Sequence, residues 1–238
     1  FWYFHRTSSG NIYPLEIGYK QIPSAKVPYN RELVVQACKS GCSLYARNGG
    51  CPPYSPDFVR IRSLFPYAQV IYSRLFTKFY PPDVVRGGFY IRWNFVKVIM
   101  EGVITKAGRC LSEILGGMLL GAGPCKGCGN KKCSFKLGAR RCRNPTERVF
   151  SLESTGVLAT ELISQLFNIP LLWFNKDDPA YFPKYMVNLI LVMTKEKISS
   201  KTLNTYVHRC FNSLSSTYVP HSEIEQEELL SRDWRALM

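Results

Sequence analysis

Residues 38–73, "CKSGCSLYARNGGCPPYSPDFVRIRSLFPYAQVIYS", carry the order of events from which the fold is read. Three cysteines, Cys38, Cys42 and Cys51, are separated by three and eight residues, and Pro52 and Pro53 follow at once. A short helix comes next: Ser55 is placed to act as N-cap, Pro56 stands at the first turn, and Phe58, Ile61, Leu64 and Phe65 share a face. Then "YAQVIYS", residues 67–73, has the β-branched and aromatic content of a buried strand.

The same order returns further along the chain. In "GPCKGCGNKKCSFKLGARRCRNP", residues 123–145, Cys125, Cys128, Cys133 and Cys142 are spaced by two, four and eight residues, with Pro145 closing the run. "STGVLATELISQLF" then sets Leu158, Leu162, Ile163 and Leu166 on a helical stripe, and an apolar strand follows, either "PLLWF" or "VNLILVM". Cluster, proline, helix and strand thus occur twice. We read an α/β protein of two similar α/β halves, about 30–86 and 87–195, packed into one unit with the cysteine clusters on connecting loops. Residues 1–29 read as an N-terminal arm and 196–238 as a helical tail, in which Ser222 and Glu225 have capping-box spacing. Residues 87–122 form the scaffold between the clusters. There Ile91, Phe95, Val98, Ile99 and Val103 fall at roughly helical spacing, although the β-branched content leaves a strand open.

At 238 residues and 46% hydrophobic the chain can bury a real core, and its longest apolar run, residues 186–193, is far short of a membrane span. The net charge of +14 is uneven. Between residues 124 and 150 eight lysines and arginines face one acid, Glu147, so this stretch holds +7. Lys126, Lys131, Lys132, Lys136, Arg140, Arg141 and Arg143 form a candidate surface for an anion or an acidic partner. No secretory signal is visible, and clustered cysteines in a reducing cytoplasm are metal ligands more often than disulfides, so a cytoplasmic location is expected.

Four cysteines with so few apolar neighbours need something to bind. Zinc asks for a tetrahedron, commonly from two close knuckles, and the second cluster has one, Cys125 with Cys128. A 4Fe–4S cluster tolerates irregular spacing, and proline directly after a cysteine, as at Cys51, also occurs in ferredoxin-type runs. His5, His208 and His221 lie far from both clusters in sequence and read as ordinary residues.

Taken together, "CKSGCSLYARNGGCPPYSP", "GAGPCKGCGNKKCSFKLGARRCRNP" and "SLESTGV" resemble a family of prokaryotic proteins described as predicted metal-binding, over about residues 30–195. Two departures lie outside the cysteines: "YARNGG" stands where that family has a tyrosine-glycine-lysine run, and "SLESTGV" replaces a serine-methionine-glutamate run. The resemblance implies a cytoplasmic metal protein, with iron–sulfur as the favoured centre and no reaction supplied.

The leading expectation is a redox or electron-transfer protein with two centres, one at Cys125, Cys128, Cys133 and Cys142, the other at Cys38, Cys42 and Cys51. Cys110 is a candidate fourth ligand for the second of these; otherwise one iron stays open. An acidic redox protein is the expected partner, within a larger complex if one forms. A second reading is a metal-stapled module binding RNA or a ribonucleoprotein surface through the basic segment and Tyr45, Tyr54 and Phe135. A third is a sulfur-handling enzyme with Glu101, Glu113 or Glu153 as acid-base group. Cys210, isolated in the tail, reads as a buried thiol.

Overall fold

The run "VNLILVM" is almost wholly apolar because both of its faces are covered. In the computed structural model, which describes residues 1–129, 131–175, 177–178 and 180–233, it lies within β6 (Tyr185–Thr194). Ile190 and Val192 enter one core; Leu189, Leu191 and Met193 enter the other. Side chains alternate across a strand, so each face needs its own layer of cover.

The other strands are β1 (Trp2–Arg6), β2 (Ile12–Pro23), β3 (Tyr67–Phe76), β4 (Met118–Gly121), β5 (Phe150–Ser151) and β7 (Thr217–Tyr218). Among the described residues they form one sheet with the order β5-β4-β6-β3-β2-β1-β7. β4 and β5 pair in parallel, and the remaining neighbours are antiparallel. The centre is β3 against β6, in register from Tyr67 opposite Thr194 to Phe76 opposite Tyr185.

One layer is α3 (Pro82–Arg86), α4 (Phe89–Val96), a π-helical turn (Lys97–Glu101), α5 (Gly102–Ile114) and α7 (Ser200–Asn212). The helical alternative therefore holds for the scaffold: Val103, Ile104, Ala107 and Leu111 make the buried stripe, while Ile91 and Val98 face outward. Each large member of that stripe contributes roughly 1.5–3 kcal/mol by leaving water. Gly108 lets α5 lie close to the sheet, since a Cβ there would come 2.5 Å from Ile190 Cδ1. The opposite layer holds α2 (Phe58–Leu64) and α6 (Ala159–Phe167), packed through Phe58, Ile61, Leu162 and Ile163.

Some local readings change. The cap of α2 is Asp57, whose Oδ1 accepts from Val59 N at 2.7 Å; Ser55 instead donates its hydroxyl to Ser154 O. Leu64 is exposed on α2, and "PLLWF" forms no strand. The paired order of helix and strand recurs as α2–β3 and α6–β6, with the two strands side by side in the single sheet. Residues 1–29 supply β1 and β2 of that sheet. In the tail, α8 (Glu223–Ser231) is capped by Ser222, which accepts from Glu225 N; residues 234–238 lie outside the described residues. Among the described residues no helix is long and apolar enough to cross a membrane.

Candidate metal centre

The first cysteine cluster begins on α1 (Arg31–Gly41). Asn30 caps this helix by accepting from Leu33 N, and Arg31 ties its first turn to the carbonyls of Ser55, Pro56 and Ser154. Cys38 lies in the last turn and Cys42 is the C-cap, so these two are on a helix end and not a free loop. The chain then doubles back through tight turns to Cys51, which is buried and followed by the cis Pro52–Pro53 bond.

The second cluster wraps against those turns. Asn48, itself buried, holds both strands of the junction: its Oδ1 accepts from Gly50 N (2.8 Å) and Cys125 N (3.2 Å), and its Nδ2 donates to Cys125 O (3.1 Å). Gly50 has no room for a side chain, since a Cβ would meet Val149 O at 2.4 Å and Cys125 Cβ at 2.8 Å. Arg148 crosses from the far side, donating to Gly49 O and Tyr54 O, with its guanidinium over the Phe135 and Phe150 rings. Phe135 in turn packs against Tyr54, the ring centroids 4.3 Å apart and the planes tilted by 30°. Ser154 closes the floor by donating to Gly50 O and Ser151 O.

All four cysteines of the second cluster, Cys125, Cys128, Cys133 and Cys142, line one cavity of ≈250 Å³. Backbone N–H groups point at its sulfurs: Gly127 N and Val149 N at Cys125 Sγ, and Gly49 N at Cys133 Sγ, each at 3.4 Å. Such donors are the usual second layer around metal-bound sulfur. Among the described residues no group of three or more His, Cys, Asp or Glu side chains is disposed to hold a bare ion.

The first cluster's sulfurs feel each other and the second cluster. Burial, then Cys42, Cys38 and Cys125, push the Cys51 thiol up to about 12. Cys38 is also raised, by burial first and then by Cys42 and Glu153. Cys128 is raised by desolvation and then by Cys142 and Cys133, with Arg143 acting the other way. Gathering thiols in this manner is unfavourable for their ionised forms until a cation compensates.

The basic residues read from the sequence, Lys126, Lys131, Lys132, Lys136, Arg140, Arg141 and Arg143, are all exposed, and Lys126, Lys131, Lys132 and Lys136 line the four-cysteine cavity. Cys110 does not join the clusters. It lies on α5, whose packing against α7 brings its Cα to 5.6 Å from that of Cys210, and the two are joined in a disulfide. Cys210 is buried as read, but bonded. Seven of the nine cysteines remain free, and they are the seven of the two clusters. Among the carboxylates, Glu101 is 6% exposed and pairs with Lys126 at 2.7 Å, Glu153 accepts from Ser151 Oγ, and Glu113 is an exposed residue on α5. Asn48, Arg148 and Ser154 were not legible as site residues. The signal present was the glycine pair after Asn48, which marks a close backbone approach.

A mixed α/β fold with two interlocked cysteine cradles, one of them beside a cavity with N–H groups aimed at its sulfurs, defines a cysteine-rich α/β protein whose donor chemistry suits a metal. In keeping with this, the chain belongs to the family described as predicted metal-binding protein (DUF2284), whose model matches residues 20–192. No curated protein and no solved structure matches the chain.

Proposed function

We propose that the chain is an iron–sulfur protein with a redox or electron-transfer role. The observation that carries this reading is that Cys125, Cys128, Cys133 and Cys142 all line one cavity, of ≈250 Å³. Four cysteines facing one shared space, with backbone N–H groups for their sulfurs, suit a polynuclear centre with a thiolate at each corner. Cys38, Cys42 and Cys51 would hold a second centre. With Cys110 engaged by Cys210, only these three cysteines would hold that centre, which would leave one of its metal positions without a cysteine ligand.

A cluster held here would supply one-electron transfer. The protein's own residues define its setting. The N–H groups of Gly49, Gly127 and Val149 stabilise negative charge on sulfur, and the exposed lysines around the cavity do the same at longer range. Both effects raise a reduction potential, because reduction adds negative charge. The same lysines, with Arg140, Arg141 and Arg143, present a surface for an acidic partner protein.

The RNA reading draws on the same charges but needs rings for bases to stack on. Phe135 is 7% exposed and already packed between Tyr54 and Arg148, which favours the redox reading. Absorption and paramagnetic resonance spectra of anaerobically purified protein test the proposal. Sulfur-to-iron bands that bleach on reduction support it; protein without them after reconstitution with iron and sulfide overturns it.

A further inference from the structure

A second cavity, of ≈400 Å³, stands beside the cysteine cradles and is of the size that small-molecule sites have. Its walls are mainly apolar: Leu44, Val96, Leu171, Met186 and Leu189 line it together with Trp93 and Trp173. The two indoles lie nearly parallel, 6.5 Å apart at 27°, and Phe89 continues the stack on Trp93 at 6.3 Å and 6°. Trp173 is 56% exposed and Trp93 is 37% exposed. Rings of that size, lined up at the rim of an apolar cavity and left wet, offer flat faces for another ring.

The polar side of the cavity holds two carboxylates, Glu101 and Glu153, in a chain whose net charge is +14. Ionised carboxylates accept hydrogen bonds and donate none. Glu153 spends Oε2 on Ser151 Oγ, and its Oε1 has no hydrogen-bond partner among the described residues. Lys97 also lines the cavity, but as an exposed side chain screened by water. Glu101 comes from the π-helical turn, a form of helix that is frequent at functional sites. Its partner Lys126 stands between Cys125 and Cys128 and lines the four-cysteine cavity, while Leu44 lines both cavities. One leucine thus lines both spaces, and one ion pair links a wall of each.

We infer that this cavity is a binding site for a small planar aromatic base: the ring packs on Trp173 and Trp93, and the protonated nitrogen donates to Glu153 and Glu101. The inference rests on the metal reading only for the cavity's place next to a redox centre. Binding itself needs no metal, so its failure and that of the metal reading are read separately.

Benzamidine serves as the probe, with benzoate and cyclohexylamine as controls, followed by saturation-transfer NMR and calorimetry on the full chain. Benzamidine is expected to bind saturably, cyclohexylamine more weakly, and benzoate not at all. Trp173→Ala should weaken benzamidine by about tenfold, as loss of an aromatic pair does, and Glu153→Gln by several-fold. Both residues are exposed, so both variants should fold, which circular dichroism checks; Trp93→Ala is the second ring variant. The inference is overturned if benzamidine shows no saturable binding, if benzoate binds as well, or if neither ring variant changes its affinity. Benzamidine binding to protein that proves free of iron would keep this inference and remove the redox reading.

Discussion

Asn48 and Gly50 let two loops distant in sequence share one cradle. Asn48 satisfies both backbone groups of Cys125, 77 residues away, and its loss leaves buried polar groups unpaired. Asn48→Ala should therefore cost about 1–3 kcal/mol in denaturant unfolding. Gly50→Ala should act on the metal, because the added Cβ collides with Val149 O and with Cys125 itself. We expect most bound metal to be lost from Gly50→Ala and none from Gly88→Ala, where a Cβ meets nothing within 4 Å; metal-to-protein ratios check this. The seven clustered cysteines were legible in the sequence because thiol chemistry resides in residue type and spacing. Asn48 and Arg148 were not, because an amide or a guanidinium becomes a site residue only through the partner that folding delivers.

At the scale of elements, β6 was legible from a continuous apolar run, the signature of burial on both faces. The capping of α8 by Ser222 was also legible, being wholly local. The sheet order was not: β1 and β2 lie beside β3 through long-range pairing, and nothing in residues 1–29 alone names that partner. His5 on β1 is held below its usual pKa by burial and then by Lys106. Its unfolded form therefore takes up a proton first as pH falls, so the stability it contributes is full above about pH 6.5 and is lost below it. The thermal midpoint should drop between about pH 7 and pH 5, and His5→Phe should flatten that slope. The Cys110–Cys210 bond joins α5 to α7 across 100 residues, which closes a long loop in the unfolded chain. Cys110→Ser should lower stability by about 2–4 kcal/mol, measured by unfolding without reductant, while leaving metal content unchanged.

Over the whole molecule, the sheet and its two layers serve to bring residues 38–55 and 123–154 against each other. Half of the net positive charge surrounds the place where they meet. A cavity lined by four thiols and an apolar cavity with two tryptophans then lie side by side, joined through Glu101 and Lys126. The central claim is that the cysteine cradles hold iron and sulfide. Iron and acid-labile sulfide per chain, on protein purified without air, test it most directly. The account predicts about eight of each, from two cubane centres. One or two zinc per chain with no sulfide would contradict it and make the cradles structural.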